Sequence, residues 1–413
     1  MKIHRNIGIG IVEGLQQILI KKEALRPCLN QLLKQNKKWG SRDRRQLGEA
    51  VLDCIRWKRT YEYLGNLSED SRNYKWELLG VWLLTKGMSL PEWEELSNLK
   101  DLKISFPLDP NKTERKIRES IPDWLDELGT NNFDETIWGK EIQVLNTTAP
   151  LVLRCNTLKH DIETLQKSLK NDFKIETTQL KEVPEALILE KHQKLNQNPL
   201  FLKGFFEIQD ANSQRVAHWI APEPGDLIVD SCAGGGGKSL HLAALMKNKG
   251  KIFALDLHEK KLEQLQKRAL RNGVSNIQTS SAENTPFYIQ QQGKADAVLI
   301  DAPCSGLGVI RRNPAAKWHM NPDKIQELEN LQQELLQKNA PLVKKGGKLI
   351  YATCSIFPNE NQNQIKHFLK TEIGSEFQLD KEETFLSHLT NFDGFYIARL
   401  KKNRDTIVLK TSK

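Results

Sequence analysis

The chain has 413 residues, of which 38% are hydrophobic, and a formal net charge of +9. This length allows two or three domains with sizeable cores. The apolar runs are short and interrupted by charges, which argues against a membrane-spanning helix, and the first residues lack the pattern of a secretory signal. The six cysteines form no C-x-x-C pair and fit neither a disulfide framework nor a zinc site. We therefore expect a cytoplasmic protein with reduced thiols and no bound metal.

Positive charge is concentrated near the N-terminus. Residues 21–60 contain 12 Lys or Arg against four Asp or Glu. A localised basic patch is typical of proteins that bind a phosphate-rich partner. A solvated helical face would carry similar charge, so the charge alone leaves both interpretations open.

The first part of the chain is predicted to be helical. Up to about residue 110, apolar residues recur three and four positions apart, which is the period of an amphipathic helix. One helix is expected through residues 46–57, with Ser41 as its N-cap. Cys28 and Cys54 lie on apolar faces, where inert core thiols are expected.

A middle region follows a predicted boundary. Residues 101–112 are polar and carry two prolines, which indicates the boundary. Residues 113–145 are helical in pattern. Residues 151–205 then alternate short strands with a helix, which predicts a small α+β unit.

From residue 206 the pattern changes to alternating strands and helices, which is the signature of a parallel sheet with helices on both faces. One helix should end at Gly273 as a C-terminal cap, and another should start at Pro322. The predicted strands are LIVD (227–230), KIFALD (251–256), the less clear NIQTSS (276–281), ADAVLID (295–301) and KLIYAT (348–353).

The carboxyl ends of these strands should carry the site, because ligands of open α/β sheets bind there, near the reversal of strand order. The first strand leads into a glycine loop at a helix N-terminus, which lets a ligand approach the backbone closely. Asp256 ends the second strand, 22 residues after Gly234, at the spacing of a carboxylate that binds a ribose. These features indicate an adenosine-containing ligand. The loop reads Cys232-Ala233-Gly234-Gly235-Gly236-Gly237-Lys238.

Three cofactors fit this loop about equally well. The dinucleotide motif G-x-G-x-x-G matches at Gly234 and Gly236 but has Ser239 at its last position. The Walker P-loop matches at its end but has Cys232 where its first glycine belongs, and Asp301 would suit its magnesium site. S-adenosylmethionine needs no phosphate cradle and tolerates both departures. The loop by itself leaves all three open.

Two cysteines favour S-adenosylmethionine. Cys304 and Cys354 each follow an apolar strand at the same expected sheet edge. If those strands are neighbours, their ends lie roughly 5 Å apart, and both thiols face one pocket. Structural thiols usually sit within an apolar run, and neither of these does. Reactive thiols need an electropositive setting. Four cations could supply it: Lys238, Arg311, Arg312 and Lys317.

The second half of the chain resembles the RsmB/NOP/NSUN family of RNA 5-methylcytosine methyltransferases, and within it the branch acting on bacterial 16S ribosomal RNA. Residues 41–59 resemble the NusB-like helical RNA-binding domain that precedes such enzymes, and residues 151–205 resemble the family's small RNA-binding segment. The matching segments of the second half are FFEIQDANSQRVA (205–217), DSCAGGGGKSLHLA (230–243), DAPCSGLGVIRRNPAAKW (301–318), YATCSIFPNENQNQI (351–365) and DGFYIARL (393–400).

This resemblance implies an α/β fold. A Rossmann-like class I methyltransferase domain over residues 206–413 would follow an all-α NusB-like domain over residues 1–110. Linker helices and the small α+β segment would occupy residues 111–205.

The resemblance also implies a site and a reaction. Cys354 would be the nucleophile that adds to the cytosine ring, and Cys304 would assist proton removal and product release. Asp301 would hold the ring, with Lys238 beside it. S-adenosylmethionine would be bound by Cys232, Ala233, Gly234, Gly235, Gly236, Gly237, Lys238, Asp256 and Asp301.

Two departures from the family pattern concern the cofactor. Gly234 and Gly235 stand where the family loop has Ala and Pro. Near the adenine, either Ser281 or Glu283 takes the place of the usual acidic residue, and the sequence leaves that choice open.

The expected partner is RNA, with ribosomal RNA as the first candidate and transfer RNA as the second. We expect the protein to act as a monomer, without a metal ion and without a membrane. Two other functions stay open. One is a P-loop NTPase acting on RNA, and the other is a non-catalytic ribosome-assembly factor that keeps the fold.

Overall fold

A computed structural model of the protein describes residues 3–36, 39–191 and 193–403. The described residues form two compact units. One is drawn from residues 1–148 and 309–322, and the other from residues 149–308 and 323–413.

The described chain is helical up to residue 145, and its first strand begins at Val152. The helices are α1 (Arg5–Leu15, continued by a π-helical segment Gln16–Ile20), α2 (Leu25–Gln35), α3 (Ser41–Arg56), α4 (Lys58–Gly65), α5 (Tyr74–Thr85), α6 (Arg115–Arg118), α7 (Asp123–Asn132), α8 (Glu135–Leu145), α9 (Ile162–Phe173), α10 (Pro199–Leu202), α11 (Ala211–Ile220), α12 (Gly237–Leu245), α13 (Glu259–Asn272), α14 (Thr285–Gln291), α15 (Ala316–His319), α16 (Pro322–Asn339), α17 (Gln362–Phe368) and α18 (Ser387–Thr390). The strands are β1 (Val152–Cys155), β2 (Thr177–Gln179), β3 (Ala186–Leu189), β4 (Phe206–Ile208), β5 (Leu227–Asp230), β6 (Lys251–Asp256), β7 (Ile277–Ser281), β8 (Ala295–Asp301), β9 (Val343–Thr353), β10 (Phe377–Phe385) and β11 (Phe395–Lys402). Within the described ranges, no helix is both long and apolar enough to cross a bilayer.

The first unit packs its helices around one apolar core, as the helical spacing predicts. Ile11 of α1, Val51 of α3 and Leu78 of α5 are fully buried in it, and Cys28 and Cys54 belong to the same cluster. Helix α3 begins at Ser41, and the residue before it, Gly40, is the N-cap. The Gly40 N–H donates to the Asp43 carboxylate at 3.1 Å, which stabilises this end of the helix. Ser41 is therefore the first helical residue, and its prediction as the N-cap is wrong.

The helical unit is larger than the sequence indicates. It extends to residue 148 and takes in residues 309–322, which come from the predicted methyltransferase domain. That segment is held by buried polar contacts: Lys317 donates to the Arg56 carbonyl at 2.8 Å, and Trp318 donates to the Ile55 carbonyl at 2.7 Å. These contacts join residues more than 250 positions apart, which no local pattern reveals. The functional division at residues 110 and 205 stays a prediction.

The second unit begins with a small antiparallel sheet. Its four strands lie in the order β2-β3-β1-β4, with α9 between β1 and β2 in the chain. Leu153, Leu187 and Phe206 of the sheet bury their side chains against Leu165 and Leu169 of α9. This arrangement agrees with the α+β unit expected from residues 151–205.

The large sheet has seven strands in the order β10-β11-β9-β8-β5-β6-β7. Strands β9, β8, β5, β6 and β7 are parallel, and β11 is antiparallel to both of its neighbours. The chain runs outward from β5 to β7 and then restarts at β8 on the other side of β5. The strand order therefore reverses between β5 and β8, which is where such sheets bind ligands.

Helices cover both faces of this sheet. On one face, Val298 and Tyr351 pack against Leu336 of α16 and Phe368 of α17. On the other, Leu299 and Ile350 pack against α11 and α12. Strands buried on both faces appear in the sequence as continuous apolar runs, so LIVD, KIFALD and ADAVLID coincide with β5, β6 and β8.

Strand β10, at one edge of the sheet, does not show the pattern of a buried strand in the sequence. Strand β10 has the sequence FQLDKEETF and is mostly exposed along its length. Charged side chains on an edge strand discourage pairing with another chain, and they also hide the strand from a search for apolar runs. Strand β9 starts earlier than expected and includes Gly346 and Gly347.

Replacing Leu336 by Ala should lower the free energy of unfolding by about 2–5 kcal/mol. The side chain is fully buried between α16 and the sheet, so its loss leaves a cavity. Glu327→Ala on the exposed face of the same helix should change the free energy of unfolding by less than about 0.5 kcal/mol. Urea unfolding followed by circular dichroism measures both. Equal effects of the two variants would contradict the packing of α16.

Candidate functional site

The two thiols lie at the ends of neighbouring parallel strands. Strand β8 pairs with β9 so that Asp301 lies opposite Ala352. Cys304 follows three residues after Asp301, and Cys354 directly follows β9. Their Sγ atoms are 3.2 Å apart, and both residues are partly exposed. The structure thus brings together the two cysteines that the sequence singles out.

The environment of the two thiols is not symmetric. The hydrogen bond with Cys354, together with burial of its own side chain, raises the pKa of Cys304 well above the usual thiol value. Either sulfur can donate the hydrogen bond between them.

A buried carboxylate that the sequence analysis missed fixes the Cys304 loop. Glu360 is fully buried and accepts from the Ser305 N–H at 2.7 Å and from the Ser305 hydroxyl at 2.5 Å. The Gln332 side chain donates both to Glu360 and to the Pro303 carbonyl. Glu360 lies in the segment NENQNQI, whose polar residues resemble an exposed turn, so no sequence signal distinguishes it.

The backbone of Cys354 is held by two glycine motifs. Gly308 donates its N–H to the Cys354 carbonyl at 2.9 Å, and Gly394 donates to the Gly308 carbonyl at 2.8 Å. A Cβ atom on Gly308 would lie 2.3 Å from the Gly394 oxygen. This approach leaves no room for a side chain, which accounts for the glycines in SGLG and DGFY.

Lys238 joins the glycine loop to the end of β8. Its ammonium donates to the Asp301 carboxylate at 2.6 Å and lies 5.3 Å from the Phe395 ring centroid. The Lys238 side chain is mostly buried, whereas that of Asp301 is about one third exposed. The pair therefore presents the carboxylate, with its charge partly balanced, at the edge where the thiols lie.

The glycine loop has a fixed conformation. Gly234 and Gly236 have positive φ angles of 55° and 82°, and a Cβ on Gly236 would meet Leu265 at 2.5 Å. The Gly234 N–H donates to the Asp256 carboxylate at 2.9 Å. The family's Ala at position 234 would have to take up a left-handed conformation here, which glycine adopts without a steric penalty.

Asp256 borders a cavity beside this loop. The cavity has a volume of about 290 Å³ and is lined by both polar and apolar residues. The charged and polar contributors are Ser231, Cys232, Asp256, His258, Lys261, Glu283, Glu334 and Lys338. Burial raises the pKa of Cys232 to about 12, so this thiol lines the cavity uncharged. The apolar contributors are Leu257, Tyr288, Leu331 and Leu335.

The donor set of the cavity suits an adenosine. A carboxylate accepts hydrogen bonds from ribose hydroxyls, and apolar walls pack against a base. Ser281 borders an adjacent groove and accepts the Glu283 N–H at 3.2 Å. Glu283, which borders the cavity itself, is therefore the better candidate for a contact with the adenosine.

Asp230 braces the helix that follows the glycine loop. Its carboxylate is fully buried at the end of β5 and accepts the Ser239 hydroxyl at 2.6 Å. Burial raises the pKa of Asp230 to about 7. The other carboxylate oxygen has no hydrogen-bond partner among the described residues.

Part of the basic stretch at residues 21–60 makes contacts within the protein. Arg44 donates to the carbonyls of Leu33 and Trp39, and Lys58 pairs with Glu62. Lys37 and Lys38 lie outside the described residues. Six basic side chains of the stretch are exposed: Lys21, Lys22, Arg26, Lys34, Arg42 and Arg45.

Two cations expected near the thiols contact backbone and amide groups of the helical unit. Lys317 is fully buried there and donates to Asn146 at 3.0 Å. Arg311 donates to the Thr148 carbonyl at 2.9 Å. Their role in the electropositive setting of the thiols stays a prediction, whereas Lys238 lies at the sheet edge beside Asp301.

Comparisons with known proteins match most of the chain. The family described as 16S rRNA methyltransferase RsmB/F matches residues 217–401, and the ferredoxin-like domain described for RsmF/B-like methyltransferases matches residues 121–196. The probable ribosomal RNA small subunit methyltransferase B of Synechocystis is 37% identical over 316 residues, which cover 71% of this chain and 70% of that protein.

A further relative and a solved structure agree with these matches. The ribosomal RNA small subunit methyltransferase B of Vibrio cholerae is 34% identical over 290 residues, covering 69% of this chain and 66% of its own. The chain thus spans about two thirds of the length of these relatives. The crystal structure of PH0851 has a TM-score of 0.80 and 26% identity, covering 97% of this chain and 100% of that one.

Stability should depend on pH through Asp230. The pKa of Asp230 is about 3.9 in the unfolded chain and about 7 in the folded protein. This difference adds to the free energy of unfolding, and the added stability is fully present below about pH 4. That contribution is lost as the pH rises through 7. Asp230→Asn keeps an acceptor for Ser239 and does not titrate. Its free energy of unfolding should therefore rise relative to the unsubstituted protein between pH 5 and pH 8. Urea unfolding at four pH values tests this, and a constant difference would show that Asp230 is charged throughout.

Proposed function

This chain belongs to the RsmB/F family of methyltransferases, and we propose that it methylates the 5-carbon of a cytosine in RNA through a covalent bond to Cys354. As a member of the family it is an RNA methyltransferase whose cofactor is S-adenosylmethionine. The observation that carries the proposal is the 3.2 Å separation of the Cys304 and Cys354 sulfurs, at the sheet edge that also holds Lys238 and Asp301.

S-adenosylmethionine supplies an electrophilic methyl group when bound. The residues fitted to hold it are the glycine loop from Cys232 to Lys238, with Asp256 and Glu283 lining the adjoining cavity. The mostly apolar walls and the carboxylate of Asp256 suit the adenosine portion. The lining has three acidic residues (Asp256, Glu283 and Glu334) against two lysines (Lys261 and Lys338), so it offers no excess of positive charge to a row of phosphates. This favours a methyl donor over a nucleoside triphosphate.

The cytosine 5-carbon is a poor nucleophile, and a thiolate can activate it. The Cys354 sulfur adds to the 6-carbon, which makes the 5-carbon electron-rich enough to take the methyl group. The bond between Cys354 and the ring then breaks after a base removes the proton from the 5-carbon.

The second thiol and the ion pair have complementary tasks. Cys304, held 3.2 Å from Cys354 by the Glu360-braced loop, assists the loss of the 5-carbon proton and the release of the product. Asp301, fixed by Lys238, binds the ring at its third nitrogen and balances the charge that develops there. The target base has to be unpaired or flipped out of a helix to reach these groups.

The proposed substrate is 16S ribosomal RNA, in agreement with the names of the two relatives. The exposed basic side chains of the helical unit, among them Arg26, Lys34 and Arg42, would contact the RNA backbone, and binding should weaken with salt. Transfer RNA would use the same chemistry.

Substitution of the two cysteines should give different results. Cys354→Ala should abolish methylation, because it removes the sulfur that forms the bond to the 6-carbon. Cys304→Ala should trap the covalent protein–RNA adduct, which migrates slowly on a denaturing gel. Bisulfite sequencing of total RNA from a deletion strain carrying each variant identifies the RNA and the cytosine.

Cys155→Ala, at a buried thiol of the small sheet, is the control and should leave the modification in place. Full turnover without an adduct in Cys304→Ala would contradict the assigned role. Unchanged modification in both active-site variants would favour a non-catalytic assembly factor.

Cofactor binding should depend on Asp256 and need no metal. Asp256→Ala should weaken S-adenosylmethionine binding about 10- to 100-fold, the effect of losing hydrogen bonds to a charged group. Ser281→Ala changes a residue of the adjacent groove and should bind S-adenosylmethionine with the affinity of the unsubstituted protein. Isothermal titration calorimetry measures both. Magnesium-dependent binding of ATP in place of S-adenosylmethionine would indicate the P-loop NTPase instead.

A further inference from the structure

Three side chains with metal-binding atoms converge at a place that the proposed reaction does not use. They are Glu185 in the turn between β2 and β3, His218 in α11 and His241 in α12, and their ligand atoms all lie within 4.8 Å of one another. The Glu185 Oε2 atom is 2.7 Å from Nε2 of His218 and 3.6 Å from Nε2 of His241. Sequence spacing cannot reveal this cluster, because its members lie 33 and 23 positions apart on separate elements.

His241 is the unusual member of the cluster. It is 1% exposed, and neither of its ring nitrogens has a hydrogen-bond partner among the described residues. A buried polar group without a partner costs stability. A neutral imidazole offers the lone pair that a metal ion requires.

We propose that Glu185, His218 and His241 bind one zinc ion. Two imidazoles and one carboxylate are a ligand set that zinc takes in proteins, with water as a fourth ligand. In a tetrahedral site with metal–ligand distances of about 2.05 Å, the ligand atoms lie about 3.3 Å from one another. The side chains of the cluster would reach this spacing by moving about 1.5 Å or less. The His218 side chain is 32% exposed, which gives an ion and its water a route from solvent.

The charges around the cluster permit a cation. Glu185 is the carboxylate of the cluster, and its Oε2 atom is hydrogen-bonded to Nε2 of His218 at 2.7 Å. Arg154 is a buried cation close to the cluster, but its guanidinium is engaged by the Gln209 side chain and the Gly237 carbonyl. These hydrogen bonds go to neutral acceptors and not to Glu185.

The ion would brace the helix that follows the glycine loop. His241 lies one turn after Lys238 on α12, and Glu185 and His218 belong to the turn and helix packed behind it. Metal ligation would tie these three elements together. Because the bound ion favours the folded state, it should raise the thermal stability of the protein.

Metal content and stability test the proposal on the full chain. After dialysis against zinc and then against metal-free buffer, the protein should retain one zinc per chain, measured by mass spectrometry. Glu185→Gln keeps the side-chain volume and removes the charge, and His218→Ala removes a partly exposed ring. Each should weaken zinc binding at least tenfold and abolish the zinc-dependent rise in melting temperature.

Two controls separate this site from other zinc ligands. His367→Ala alters an exposed histidine elsewhere and should bind zinc unchanged. The double variant Cys304→Ser/Cys354→Ser removes the thiol pair and should also retain its zinc. With cobalt as the probe, that variant should show the d–d bands of nitrogen and oxygen ligands without a sulfur charge-transfer band.

Three results would overturn the proposal. They are background zinc content in the unsubstituted protein, loss of zinc only in the cysteine variant, and equal zinc affinity in folded Glu185→Gln. In the first case the cluster would be a hydrogen-bonded Glu–His network without an ion.

Discussion

The parallel pairing of β8 with β9 is the constraint on which the site depends. Its register sets Asp301 opposite Ala352, so the chain leaves both strands at one edge, where strand order reverses. Two cysteines 50 positions apart then meet with their sulfurs at 3.2 Å. Hydrogen bonds between the strands fix this register from Ala297 to Asp301 and thereby position the two thiols that follow. A slip of one residue would turn one thiol to the opposite face.

Buried carboxylates fix the loops and the helix start that follow the strands. Glu360 holds the turn after Cys304, Asp230 holds the helix after the glycine loop, and Asp256 holds the Gly234 amide. Each carboxylate is at most 8% exposed, and in such surroundings hydrogen bonds to a carboxylate are strong. Loops held in this way lose little further freedom when a cofactor and a base bind, which favours catalysis.

Helix α12 gathers several of these interactions within four residues. Lys238 reaches Asp301 at the end of β8, Ser239 reaches Asp230 beneath it, and His241 faces the cluster with Glu185 and His218. Successive residues of a helix point about 100° apart, so these side chains reach different sides of the helix. The glycine loop, the thiol edge and the proposed zinc site are therefore coupled through one short element.

The sequence by itself determined the regular parts of the protein. Strands buried on both faces, such as β5, β6 and β8, require continuous apolar runs, which can be seen in the sequence. Gly236 and Gly308 are required where another part of the chain approaches closely, and such glycines can also be seen in the sequence. It also indicated the two thiols and Asp256, because strand ends in a parallel sheet meet at one edge. Only the tertiary structure decided which polar groups are buried and which partners they contact. Glu360, Lys317 and the cluster of Glu185 with two histidines are indistinguishable from surface residues in the sequence, because their partners lie far away along the chain and follow no period.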